Sequence, residues 1–174
     1  MKRLDLAVLG SGAGLKEALA AARRGWRTAL FESGPAGGTC LNRGCIPSKM
    51  LIAPAALAER VCEAASIDLR VEGRVALALD PLVARTARET AAIAAGIRQR
   101  AADTPNLTWV EARARFTGPR ELEAGGDRFQ ADRVLIAVGS EPAIPAIPGL
   151  SATPFMTSEA FLKNRRLPRR LAVL

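Results

Sequence analysis

The sequence has 174 residues, which is long enough for one domain with its own hydrophobic core. It carries a formal net charge of +8, and it contains three cysteines and no histidine, so it offers no imidazole as a base or metal ligand. No apolar run reaches the roughly 18 residues of a transmembrane helix, and we expect no membrane partner. Because there is no secretory signal, the few cysteines predict a reducing compartment, and we expect a cytoplasmic protein.

The first 32 residues have the pattern of a nucleotide-binding βαβ unit. The apolar run 4–9 predicts a buried parallel strand, and residues 15–25 have the composition of a helix. Residues 26–32 predict a second strand, and the sequence GSGAG joins the first strand to the helix. This order predicts that the glycine-rich loop holds the phosphates of a dinucleotide at the start of the helix.

Four positions in this unit support dinucleotide binding, and a fifth departs from the usual pattern. Gly10, Gly12 and Gly14 allow a tight turn and a close approach of pyrophosphate. Glu32 follows the second strand, where a carboxylate can accept hydrogen bonds from an adenosine ribose. The third glycine of the usual spacing would be residue 15, which is Leu15 here. We therefore expect the helix to lie slightly further from the sheet than usual.

The middle of the chain predicts two helices and then several strands. The first helix, from residue 47 to about residue 65, has one apolar face, formed by Leu51, Ala55, Ala58 and Cys62. This spacing predicts that Cys62 is a buried, inert thiol. A second helix is predicted from about residue 81 to residue 101. The later segments of β type are 107–116, 120–124 and 128–140, and the proline-spaced segment 141–149 predicts an irregular linker.

Two cysteines, Cys40 and Cys45, lie five positions apart in GGTCLNRGC, at a predicted loop-to-helix junction. In an unbroken helix their Cα atoms would be about 8–9 Å apart, beyond the roughly 7 Å limit for a disulfide. Gly44 and Pro47 would permit a distorted first turn. The unpaired N–H groups of a helix start favour a thiolate. Zinc would need further ligands that are absent, so reversible redox exchange is favoured over a metal site or two inert cysteines.

The segment GGTCLNRGCIPSK closely resembles the active-site signature of the class I flavin disulfide reductases, the family of dihydrolipoamide dehydrogenase, glutathione reductase and mercuric reductase. The resemblance extends to GSGAG, Glu32 and RVLIAVGSEPAIPAIPG. It implies an α/β fold: a Rossmann-like FAD-binding domain with a central parallel sheet, helices and a small antiparallel β-meander. This domain would span residues 1–168, and residues 169–174 would begin the first strand of a nicotinamide-binding domain.

The resemblance also implies roles for individual residues. Cys40 would be the interchange thiol that attacks the substrate, and Cys45 the charge-transfer thiol against the flavin. Lys49 would lie near the reactive edge of the flavin as a third catalytic residue. The residues implied to lie along FAD in two further turns are Gly38, Thr39 and Gly139. Two positions depart from the family pattern: Arg43 replaces a common valine, and Val138 replaces a common threonine.

The function implied by the resemblance is an FAD-dependent disulfide oxidoreductase similar to dihydrolipoamide dehydrogenase. Electrons would pass between NAD(P)H, FAD and the Cys40–Cys45 disulfide to a small disulfide or thiol substrate. The alternatives are a mercuric reductase-like or other thiol-disulfide reductase-like member, and an FAD-fold binding module without turnover. The full-length protein would be a homodimer whose other domains supply the NAD(P) site and a His–Glu pair, so this chain alone would be inactive. The basic run 163–170 lacks interleaved aromatic residues and is interpreted as a linker, not a nucleic-acid site.

Overall fold

The computed structural model describes all 174 residues, and the chain divides into two compact units. The first unit comprises residues 1–42 and 91–141, and the second comprises residues 43–90 and 142–174. No helix is both long enough and apolar enough to cross a bilayer.

The first unit is built on one six-stranded sheet in the order β3-β2-β1-β6-β5-β4. The strands are β1 Lys2–Leu9, β2 Thr28–Phe31, β3 Leu107–Val110, β4 Arg115–Gly118, β5 Glu121–Ala124 and β6 Asp127–Ile136. β1 pairs in parallel with β2 and β6, and β2 pairs in parallel with β3. β4, β5 and β6 form an antiparallel meander. Helices α1 Gly14–Arg23 and α2 Gly38–Arg43 follow β1 and β2.

The core of the first unit covers both faces of the sheet. Because side chains alternate along a strand, Leu6 and Val8 of β1 pack with Leu30 and Ala18 toward α1, whereas Leu9 packs in a separate buried cluster. That second cluster includes Phe31 and Phe129, whose rings meet edge to face with centroids 5.0 Å apart. Burial of each large apolar side chain contributes about 1.5–3 kcal/mol. The sheet is therefore held by the first unit's own side chains.

The second unit is largely helical and buries little. It contains α3 Cys45–Glu63, a 3₁₀ turn Ala64–Ile67, the first half of α4 Leu79–Ala102, a 3₁₀ turn Leu150–Ala152 and α5 Ser158–Leu162. Among the 19 residues of α3, only Pro47 is buried. The large apolar side chains of Ile52 and Leu57 are 62 % and 63 % exposed.

The fold confirms the βαβ unit, the parallel sheet with its meander and the irregular segment 141–149. Two expectations were wrong in detail. The segment 107–116 is two strands, because the chain leaves the parallel pairing after Val110 and enters the meander at Arg115. Cys62 is exposed, because the apolar face that periodicity indicates on α3 is not covered. Residues 171–174 have no regular secondary structure, and their assignment to a following domain stays a prediction.

Candidate functional site

The loops that follow β1, β2 and β6 begin at one edge of the sheet. In the parallel register Leu9 lies opposite both Phe31 and Ile136, so these three strands end together. The next residues continue the ladder: the Gly10 N–H donates to the Phe31 carbonyl at 2.8 Å, and the Ala137 N–H donates to the Leu9 carbonyl at 2.8 Å. The connection from β1 leads to β2 on one side, and β6 flanks β1 on the other. This edge is therefore a topological switch point, where open α/β sheets bind ligands.

Glycine at positions 10 and 38 allows the backbone to approach itself closely. Gly10 has φ +100°, and a Cβ there would overlap the carbonyl oxygen of Ala137. Gly38 has φ +64°, and its Cβ would lie 2.5 Å from the Cα of Gly12. The first residue of α2, the helix that carries Cys40, therefore lies directly against the glycine-rich loop.

Gly14 provides the helix-to-sheet contact that the sequence analysis expected to be weakened. A Cβ at Gly14 would lie 2.5 Å from Cγ1 of Val8 and 3.1 Å from Cβ of Ala137, so α1 begins in close contact with the strands. Leu15 packs against the buried cluster around Leu6. The expectation that α1 lies further from the sheet was wrong, because the packing glycine is shifted by one position and Leu15 points into the core.

Glu32 connects the glycine-rich loop to the loop after β2. Its Oε2 accepts hydrogen bonds from the N–H and hydroxyl of Ser11 at 2.9 and 2.6 Å, and its Oε1 accepts from the Gly34 N–H at 2.9 Å. Burial alone would raise the pKa of Glu32, but hydrogen bonds from Ser11, Gly34 and Ser33 outweigh it and hold the pKa below its usual value. The group is therefore a half-buried carboxylate, charged at neutral pH.

The two remaining residues predicted to contact FAD also approach each other. The Oγ1 of Thr39, in α2, lies 3.9 Å from the position that a Cβ on Gly139 would occupy. Gly139 has φ +74° and follows β6. The first unit thus brings all seven predicted cofactor residues to the switch-point edge: Gly10, Gly12, Gly14, Glu32, Gly38, Thr39 and Gly139.

The segment that carries Cys40 and Cys45 is not one continuous helix. α2 ends at Arg43 and α3 begins at Cys45, with Gly44 between them at φ −147° and ψ −108°, outside the helical region. This break fulfils the condition that a Cys40–Cys45 disulfide would need, and the disulfide itself stays a prediction. Both thiols are solvent-exposed, and the Cys45 thiol is free.

Cys45 and Lys49 lie four residues apart on α3, so they share one helix face at its start. The side chain of Lys49 is exposed. The Ser48 N–H is already bonded to the Gly44 carbonyl at 3.0 Å, and Pro47 has no N–H. In the first turn of α3, the N–H groups of Cys45 and Ile46 therefore have no partner within the helix and can donate to a bound acceptor.

Comparison with known proteins agrees with this geometry. A sequence profile described as pyridine nucleotide-disulphide oxidoreductase matches residues 4–174. The chain belongs to this family. It is 40 % identical over 184 residues to a mercuric reductase of Shigella flexneri, with 98 % of the chain and 32 % of that protein covered. It is 32 % identical over 176 residues to a dihydrolipoyl dehydrogenase of Chlamydia trachomatis, with 98 % and 37 % covered.

A solved structure has the same fold. The chain superimposes on the HOCl-induced flavoprotein disulfide reductase RclA from Escherichia coli with a TM-score of 0.76 and 27 % identity, over 94 % of the chain and 35 % of that protein. The chain therefore spans about a third of the length of these relatives. The six-stranded α/β fold of this chain is therefore that of a Rossmann-like FAD-binding domain.

The residues at the switch-point edge fit a flavin dinucleotide. Gly38 leaves no room for a side chain against the Gly12 backbone, and this close backbone packing is what a pyrophosphate cradle requires. Glu32 adds a charged, partly exposed carboxylate at this edge, which is the type of acceptor that suits a ribose hydroxyl. No group of three or more His, Cys, Asp or Glu side chains suited to a metal ion is present.

Two residues that organise this edge were missed by the sequence analysis. Ser11 is fully buried, and its hydroxyl accepts a hydrogen bond from the Gly37 N–H at 3.0 Å while it donates to Glu32. Asn42 donates to the carbonyls of Ala36 and Gly38, both at 2.9 Å. The position of Ser11 between two loop glycines could have indicated its role in the sequence. Nothing in the sequence indicates the role of Asn42, because its partners are set by the turn of the chain at residues 35–38.

Proposed function

We propose that this chain is the FAD-binding and redox-cysteine part of a flavin-dependent disulfide oxidoreductase. The observation that carries the proposal is the contact of Gly38 with Gly12, because it fixes the start of the Cys40 helix against the dinucleotide loop. Membership of the pyridine nucleotide-disulphide oxidoreductases supports the same reaction class. A binding module without turnover is less favoured, because both exposed thiols of GGTCLNRGC are present.

In this proposal each part of the site has a separate task. Glu32 binds the adenosine ribose, and the loop at residues 10–14 faces the pyrophosphate. When bound, the flavin supplies the ring that receives a hydride from NAD(P)H and passes two electrons to the cysteine pair. The Cys40 thiolate then attacks a substrate sulfur, and half of the substrate leaves as a thiolate. Cys45 attacks Cys40, which releases the second half and restores the Cys40–Cys45 disulfide.

The nicotinamide site, a homodimer and a cytoplasmic location belong to the same proposal. Because the chain spans about a third of its relatives, we propose that an NAD(P)-binding domain, which residues 169–174 would begin, and the acid–base pair lie outside these residues. We expect the 174-residue chain alone to show no NAD(P)H-dependent turnover.

The experiment uses the flavin-loaded protein with these further domains. Two-electron reduction should give a long-wavelength absorption band from the Cys45 thiolate against oxidised flavin. Cys45→Ser should abolish the band, whereas Cys40→Ser should keep it without substrate turnover. Thiol counting in denaturant should show two more thiols after reduction than in the oxidised protein. An equal thiol count in the air-oxidised and reduced samples would contradict the redox assignment.

A mercuric ion is the second candidate substrate, and one observation favours it. The mercuric reductase of Shigella flexneri is 40 % identical to this chain, against 32 % for the dihydrolipoyl dehydrogenase. NADPH oxidation that depends on Hg²⁺ in excess thiol, together with no NADPH oxidation by lipoamide and no NAD(P)⁺ reduction by dihydrolipoamide, would select this candidate. The reverse pattern would select the dihydrolipoamide substrate that the sequence analysis preferred.

A further inference from the structure

Arg43, the residue that departs from the family pattern, is part of an ion cluster in the second unit. Its Nη1 lies 3.3 Å from Oε2 of Glu159, and Nζ of Lys163 lies 2.8 Å from Oε1 of the same carboxylate. Lys163 and Arg43 together hold the pKa of Glu159 below its usual value, so the carboxylate is charged. Two cations therefore share one anion, and the cluster carries a net charge of +1.

The guanidinium retains most of its binding capacity. One of its N–H groups donates to Glu159, and the side chain is 37 % exposed. A guanidinium has five N–H donors in a planar fork, and two of them can bind a carboxylate at once. Arg43 is thus tethered by one contact and open to solvent with the remaining donors.

Arg43 also lies close to the redox cysteines along the chain. It follows Cys40 by three residues and precedes Cys45 by two. Cys40 and Arg43 both belong to α2, and residues three positions apart on a helix are neighbours, with Cβ atoms about 5–6 Å apart. This is shorter than the screening length of about 8–10 Å at physiological salt. The charge of Arg43 can therefore act on a charged group of a substrate at the attacking Cys40 thiol.

We propose that Arg43 is an anion-binding residue that makes the redox cysteines prefer substrates with a negatively charged group next to the reacting sulfur. This inference rests on the proposed function only in taking Cys40 and Cys45 as the reacting thiols. The corresponding substrate class is a disulfide that carries carboxylates near its sulfur atoms.

Stoichiometric thiol exchange tests the preference without flavin turnover. The reduced protein, in a Cys62→Ser background, is mixed with dianionic 5,5′-dithiobis(2-nitrobenzoate) or with neutral 4,4′-dithiodipyridine. In both reactions a protein thiolate attacks a probe sulfur, the probe S–S bond breaks, a protein–probe disulfide forms and one probe thiolate leaves. No further oxidant is needed. The ratio of the two rate constants reports charge selectivity, because a change in thiolate content alters both rates.

We expect Arg43→Gln to lower the rate with the dianionic probe about threefold to tenfold, and to change the rate with the neutral probe less than twofold. Arg43→Lys should retain most of the preference, because it keeps the charge. The wild-type ratio should fall as salt is raised from 0.05 to 0.5 M. Arg115→Gln, which removes an equal charge from an exposed ion pair on β4, should leave the ratio unchanged.

Equal loss of rate with both probes in Arg43→Gln would overturn the inference, because the residue would then act on the thiols and not on the substrate. An equal change of the ratio in Arg115→Gln would also overturn it, because net charge would explain the effect. Failure of the proposed function would look different: NAD(P)H would not reduce the disulfide in the flavin-loaded protein, while the ratio in the stoichiometric assay would still report on Arg43.

Discussion

The two units of the chain differ in how completely their apolar side chains are buried. In the first unit Val8 and Leu30 are completely buried under α1, and Ala29 is completely buried on the other face of the sheet. In the second unit the 19 residues of α3 bury only Pro47, and Leu57 is 63 % exposed. The first unit therefore has a core that fixes the glycine-rich loop. The second unit contains the start of α3 and has no comparable core of its own.

The largest expected effect concerns the close backbone contact in the first unit. Gly10→Ala should lower the free energy of unfolding by about 4 kcal/mol or more, because the new Cβ overlaps the Ala137 carbonyl. Gly25→Ala is the matched control, since Gly25 has φ +86° and nothing within 4 Å of the Cβ position. It should cost about 1–2 kcal/mol from the left-handed backbone alone. Denaturant unfolding measures both. Equal losses would mean that the Gly10 contact does not exist.

The contrast in burial can be tested directly with two leucines. Leu30→Ala should cost about 2–5 kcal/mol, because Leu30 is fully buried between β1 and α1. Leu57→Ala should cost less than about 0.5 kcal/mol, because its side chain is already in water. A large loss for Leu57→Ala in denaturant melts would show that α3 is covered, which would remove the contrast between the units.

A smaller effect is expected at Glu32, which holds the glycine-rich loop and is proposed to bind the ribose. Glu32→Ala should cost about 1–3 kcal/mol without FAD, because the donors of buried Ser11 lose their acceptor. FAD retention should fall as well, since the ribose acceptor is removed. Glu123→Ala, which breaks an exposed ion pair with Arg115, should change stability by less than about 1 kcal/mol and leave FAD content unchanged. Unchanged FAD content and off-rate in Glu32→Ala would refute the ribose assignment.

The smallest expected effect is a pH dependence. The pKa of Glu32 is lower in the folded protein than its ordinary value of 4.5. The unfolded state therefore binds the proton more readily, and stability from this group is present above pH 4.5 and is lost as the pH falls toward the folded pKa. Glu32→Gln should make the unfolding free energy less sensitive to acid below pH 4.5. Identical acid profiles for the wild type and Glu32→Gln would contradict the charged hydrogen-bond network.

Much of the first unit could be predicted from local pattern. Apolar runs identified β1 and β2, and glycines at 118 and 125 marked the ends of β4 and β5. The second unit was predicted less well, because a 3.6-residue apolar period on α3 indicates a face suited to burial but does not show whether any element covers it. That is why Cys62 was expected inside and is exposed.

The sequence by itself determined the βαβ unit, the glycine-rich loop and the close spacing of Cys40 and Cys45, because each depends on residues near one another in the chain. Only the tertiary structure decided that Gly38 touches Gly12, that buried Ser11 holds Glu32, and that Glu159 tethers Arg43. These contacts join residues up to 116 positions apart. Such pairings depend on how the chain turns and packs, and no local propensity or periodicity encodes them.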